Sequence, residues 1–123
     1  VDRDTVNLAP DDKDRTFMAA RLDILRETQR NMLLISFPGD ERASGGCLAA
    51  GRGFFHINAK GGAEPCPFSP YSDTSLQDIS LREAMNSPLF SRLRENGNLA
   101  ETHKGGCVLF EQEQTVKEYL KGI

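Results

Sequence analysis

The middle of the chain constrains the fold most. Between residues 45 and 62 stand Gly45, Gly46, Gly51, Gly53, Gly61 and Gly62, and a cysteine lies at each end, Cys47 and Cys66. So dense a run of glycine cannot propagate a helix, because each one loses more backbone freedom on ordering than any other residue. The segment must turn repeatedly and form short extended pieces. Phe54-Phe55-His56-Ile57-Asn58 reads as a strand, Ala59-Lys60-Gly61-Gly62 as its turn, and Ala63-Glu64-Pro65-Cys66 as the returning strand. Pro65 and Pro67 demote the returning strand to an edge or end it, since neither can donate to a ladder.

Helical patterns flank this middle. Asp11 or Asp12 can cap a helix over 12–30, with Asp14 in its first turn. Phe17, Met18, Leu22, Ile24 and Leu25 fall on one arc, and Asp23–Arg26 is spaced as an ion pair on a wet face. Further on, Ser80-Leu81-Arg82-Glu83 is a capping box. Ser87-Pro88 is a cap followed by proline at the first helical position, and Gly97 is the matching stop. Residues 112–121 place Val116, Tyr119 and Leu120 on one side of a last helix. Between the first helix and the glycine-rich middle, Met32-Leu33-Leu34-Ile35-Ser36-Phe37 runs almost unbroken and apolar up to Pro38-Gly39. Such a run fits a strand over 32–37 buried on both faces, as in a parallel sheet. The expected fold is α+β: a helix–strand step, a β-hairpin and two or three helices.

Composition narrows the function. Apolar residues are 38% of 123, and glycine lifts this to about 47%, within the roughly 45–50% of globular chains. A core is therefore affordable in one domain of this length. The net charge of −3 leaves no footprint for a phosphate backbone. Aromatic content of 7% without Trp offers no stacking platform for single strands, so nucleic acid is excluded as a partner. No apolar run is long enough for a membrane span. The charged start Val1-Asp2-Arg3-Asp4 is unlike a secretory signal, which points to the cytoplasm. No phosphate-binding, dinucleotide-binding, zinc-protease or serine-hydrolase motif occurs.

Three cysteines, Cys47, Cys66 and Cys107, stand in Gly/Pro contexts. An odd number cannot all pair within one chain. Folding the hairpin brings Cys47 towards Cys66, and Cys107, after Gly105-Gly106, can return from beyond the helices. Glycine beside a ligand lets backbone N–H groups approach a thiolate or sulfide closely. Pro65-Cys66-Pro67 restricts Cys66 to extended backbone, which either pre-organises a ligand or ends a strand. Zinc is a weaker candidate, because no CxxC pair is present. His56 reads first as a hydrogen-bonded histidine of the hairpin and His103 as a solvated loop residue, although either could complete a ligand set.

Gly46-Cys47-Leu48-Ala49-Ala50-Gly51-Arg52-Gly53-Phe54-Phe55-His56-Ile57-Asn58, then Gly61 and Glu64-Pro65-Cys66-Pro67-Phe68, resembles the C-terminal auxiliary region of radical S-adenosylmethionine proteins, the SPASM/twitch type. That family's first motif is a cysteine, a spacer, a glycine, four residues and a second cysteine. Cys47, 13 residues, Gly61, four residues and Cys66 match it. The segment from Ser80 to Arg94 is similar to the helices that follow in many members. The resemblance implies a Fe-S oxidoreductase in which Cys47 and Cys66, with Cys107 as third ligand, hold one auxiliary [4Fe–4S] cluster for substrate binding or electron transfer. The full family pattern continues as CxxCx5Cx3C, whereas here only Gly-Gly-Cys107 follows. One cluster is therefore implied, and its fourth site falls to His56, His103, a water, a substrate atom or a ligand from outside the chain.

By the same resemblance, residues 1–38 are the terminal helix–strand step of a barrel and residues 39–123 the auxiliary-cluster domain. The CxxxCxxC loop that holds S-adenosylmethionine and its own cluster is absent here and is expected upstream, so the chain alone should not catalyse. A cluster with three thiolates would be anionic, and Arg52 or Lys104 could face it, although plain surface charge is the preferred reading of both. The expected partners are the upstream barrel and, through the unpaired strand 32–37, a second copy. The alternative is a non-catalytic zinc- or partner-binding module.

Overall fold

The computed structural model describes residues 8, 10–34, 36, 41, 44–101 and 107–123. Helix α1 spans Asp12–Thr28. Its N-terminus is closed by a reciprocal box: Asp11 Oδ1 accepts from Asp14 N at 2.8 Å, and Asp14 Oδ2 accepts from Asp11 N at 3.4 Å. The expected Asp23–Arg26 pair forms at 3.8 Å. The helix ends at Thr28, two residues short of the expected end, and Arg26 turns back to donate to the Leu34 carbonyl at 3.1 and 3.2 Å. No residue of α1 is buried. Its apolar arc is genuine, yet Phe17 is 72% exposed, because no element of the described residues packs on it.

The strand expected over 32–37 is not found among the described residues. Met32, Leu33, Leu34 and Ser36 belong to no strand, and Leu33 is 84% exposed. Ile35 and Phe37 lie outside the described residues. A strand buried on both faces needs partners on both edges, and the sheet present has two short strands that pair only with each other.

Those strands form the hairpin. Strand β1 (His56–Ile57) runs antiparallel to β2 (Ala63–Glu64), with His56 opposite Glu64 and Ile57 opposite Ala63. Both are shorter than expected; Pro65 ends β2 where the ladder would need its missing N–H. Asn58 builds the turn by accepting from Lys60 N at 2.9 Å and Gly62 N at 3.0 Å, while Gly61 takes φ +84°.

Four short helices follow. Helix α2 (Leu81–Met85) carries the Ser80–Glu83 capping box. Helix α3 (Pro88–Glu95) starts at the Ser87 cap with Pro88 at its first position, and Gly97 follows its end at φ +76°. Asp73 adds a second cap that local sequence did not announce, accepting from Leu89 N at 2.8 Å. A 3-10 turn (Asn98–Ala100) leads on to α4 (Val108–Glu111) and α5 (Glu113–Lys121), the latter within the expected 112–121. The fold is thus α+β.

The core lies where α3 meets α5 and the 3-10 turn. Leu89, Phe90 and Leu93 of α3 are fully buried with Val108, Leu109 and Val116, and the glycine-rich loop adds Ala49, Ala50 and both Cys47 and Cys66. Ser87 is itself buried and accepts from Phe90 N at 3.2 Å. Ser87→Ala would strand that buried N–H, so a loss of about 1–2 kcal/mol is expected in urea unfolding.

Candidate metal centre

Each cysteine is placed by a different piece of backbone. Cys47 is held by its own N–H, which donates to the Leu99 carbonyl at 2.7 Å. This is possible because Gly46, at φ +113°, lies flush against the 3-10 turn; a Cβ there would stand 2.5 Å from Leu99 O. Arg52 secures the same loop, donating to the carbonyls of Ser44 and Cys47 at 2.8 Å each and of Gly45 at 3.4 Å. Its guanidinium is therefore a clasp on the Cys47 loop rather than plain surface charge. Arg94 plays a matching part, donating to Ala50 O at 2.8 Å, beside the left-handed Ala50 (φ 52°), and to Met85 O at 2.7 Å.

Cys66 is joined to that loop through Ala50 N, which donates to Pro65 O at 3.0 Å. Ser69 N closes a tight turn onto Cys66 O at 3.0 Å. The Ser69 hydroxyl is buried there without a partner among the described residues. Cys107 sits at the N-terminus of α4, its carbonyl accepting from Phe110 N at 3.0 Å and Glu111 N at 3.2 Å.

The folded chain brings Cys107 Sγ to 3.8 Å from Cys66 Sγ, across 41 positions of sequence. Either thiol can be the donor in this contact. Cys66 is held well above the ordinary thiol range, first by its hydrogen bond to Cys107 and then by burial. Cys107 is lowered to about 6, chiefly by receiving that bond, with help from the backbone of Phe110 and Leu109 against the cost of burial. Cys47 is raised to about 11 by burial, and the charges of Glu41 and Cys107 push the same way. Cys47 also acts on Cys66. Of the three sulfurs, the fold brings Cys66 and Cys107 into contact.

His56 is not free to turn. Its Nδ1 lies 2.8 Å from Glu64 Oε2, and Asn58 Nδ2 donates to Glu64 Oε1 at 2.7 Å. Glu64, only 5% exposed, is thereby satisfied, and the first reading of His56 as a hydrogen-bonded histidine of the hairpin holds. His103 and Lys104 lie outside the described residues.

The donors are three unbridged thiols. Two of them are buried, and an orphaned hydroxyl in the Cys66 turn could hydrogen-bond a sulfur. Among the described residues, no three His, Cys, Asp or Glu side chains stand close enough to hold a single metal ion. A [4Fe–4S] cluster, whose thiolates sit at separate corners, would need a wider spacing. The pair Cys66–Cys107 would have to part for it. A tetrahedral zinc with bonds of about 2.3 Å has a sulfur–sulfur edge of about 3.8 Å, which the pair already matches.

Comparison with family models, with curated proteins and with solved structures finds no match to this chain.

Proposed function

We propose that the chain is an auxiliary iron–sulfur domain, the C-terminal part of a radical S-adenosylmethionine Fe-S oxidoreductase, in which Cys47, Cys66 and Cys107 are thiolate ligands of one [4Fe–4S] cluster. The observation that carries this reading is that the fold brings Cys107 beside Cys66 from 41 positions away in the sequence. The motif Cys47–Gly61–Cys66 supports it independently. When bound, the cluster would supply an electron relay or an iron that binds substrate. The chain's own residues orient its ligands: Arg52 and the Gly46–Leu99 contact fix Cys47, the Ala50–Pro65 bond fixes Cys66, and the first turn of α4 fixes Cys107. The upstream barrel with its S-adenosylmethionine site would provide the chemistry; this domain alone would not catalyse. The reading assumes the cytoplasm, where thiols stay reduced. Consistent with that, no helix among the described residues is long and apolar enough to cross a membrane. The exposed apolar stretch at Met32 and Leu33 is the surface by which the domain would meet the barrel or a second copy.

Anaerobic reconstitution with ferrous iron and sulfide tests the reading. A brown protein with broad visible absorption and about four irons per chain is expected. Cys66→Ala should lose the colour while keeping its far-UV circular dichroism. A colourless product holding one zinc would overturn it in favour of a zinc-binding module, the reading that the 3.8 Å sulfur edge favours.

A further inference from the structure

Two segments far apart in the sequence bring a pair of thiols into contact. Cys66 Sγ and Cys107 Sγ lie 3.8 Å apart across 41 positions. A disulfide bond is about 2.05 Å long, so closing the gap asks each sulfur to move by about 1 Å. The two thiols differ in access. Cys66 is 2% exposed and sits in the turn that Ser69 N closes onto its carbonyl. Cys107 is half-buried and stands at the start of α4 in extended backbone, with φ −116° and ψ 129°. A reagent from solvent therefore meets Cys107 first, and Cys66 stands within reach to complete the reaction. An odd count leaves one thiol over, and this contact gives that role to Cys47.

We propose that Cys66 and Cys107 form a reversible dithiol–disulfide switch, closed by a small-molecule disulfide of the glutathione type. The Cys107 thiol loses its proton to solvent and its sulfur attacks one sulfur of that disulfide. A mixed disulfide forms, the small disulfide's own S–S bond breaks, and one small thiolate leaves and takes up a proton. Cys66 then loses its proton and attacks the Cys107 sulfur. The Cys66–Cys107 bond forms and the second small thiol leaves. The pair gives up two electrons and the small disulfide takes both. Such a bond, made and unmade, is the kind that a reducing compartment allows. It ties the segment after β2 to the start of α4, closing a loop that holds α2, α3 and the 3-10 turn. The switch stands without the cluster reading. Where a cluster is also held, bond and cluster exclude each other, since both use the same two sulfurs.

The test takes the full chain, reduced and stripped of metal, and incubates it anaerobically with oxidised glutathione before acid quenching, alkylation and peptide mapping by mass. Three free thiols should fall to one, the mass should drop by about 2 Da before alkylation, and the crosslink should map to Cys66 and Cys107. Dithiothreitol should restore all three thiols. Cys47→Ser should form the same crosslink, whereas Cys66→Ser should keep one glutathione on Cys107. A wild-type chain that retains three alkylatable thiols, that ends as a glutathione adduct, or that bridges through Cys47 overturns the switch, whatever the variants do. Reconstituting a second portion of the reduced chain with iron and sulfide keeps the two readings apart. A crosslink without colour leaves the switch intact and overturns the cluster. Colour without a crosslink overturns the switch alone.

Discussion

Phe90→Ala should cost about 3–5 kcal/mol in urea unfolding. Phe90 is fully buried at the centre of α3 and meets Phe55 edge-on with ring centroids 5.8 Å apart. Phe55 precedes β1, so this contact joins the hairpin to the helical half. Truncation removes the transfer energy of the ring and leaves a cavity. The flanking elements cannot close it, because Leu89 and Leu93 on the same helix are fully packed. Domains of this size have about 5–15 kcal/mol in total. A large unfolded fraction is therefore expected well below the wild-type midpoint. A loss under about 1 kcal/mol would show that the hairpin and the helices do not share this core.

Gly46→Ala should be nearly as damaging and more telling for the site. The new methyl would meet Leu99 O at 2.5 Å and Ala100 Cα at 2.9 Å, both backbone atoms, from a residue at φ +113°. Neither neighbour is a flexible side chain that can swing aside. The loop must lift, and the 2.7 Å bond from Cys47 N to Leu99 O must break. A cost of about 2–4 kcal/mol is expected from strain and overpacking together. Under conditions where the variant stays folded, Cys47 should react with a thiol reagent many-fold faster than in wild type, and iron uptake on reconstitution should fall. Unchanged thiol reactivity would mean that Gly46 does not set the position of Cys47.

The two halves of the chain differ in how far they could be read. The Ser80–Glu83 box, the Ser87-Pro88 start, the Gly97 stop and the Gly61 turn all appear as expected. Each depends on groups within about four residues of one another, so the information is complete in a short window. The run from Met32 to Phe37 has the composition of a buried strand, but composition cannot supply the neighbouring strands that such burial requires. Helix α1 teaches the same lesson: periodicity shows an apolar arc, and only packing decides whether it is covered. Arg52 was legible as a charge but not as a clasp, since its partners are backbone carbonyls placed by the loop's conformation.

By itself, then, the sequence determined the caps, the hairpin turn, the α+β class and the identity of the three thiols that any sulfur site must use. The tertiary structure decided that Cys107 lies beside Cys66 and that Arg52 holds the Cys47 loop. The reason is distance along the chain. A cap or turn is settled by neighbours, whereas bringing residue 107 to within 3.8 Å of residue 66 depends on α3, the 3-10 turn and α5 packing into one core.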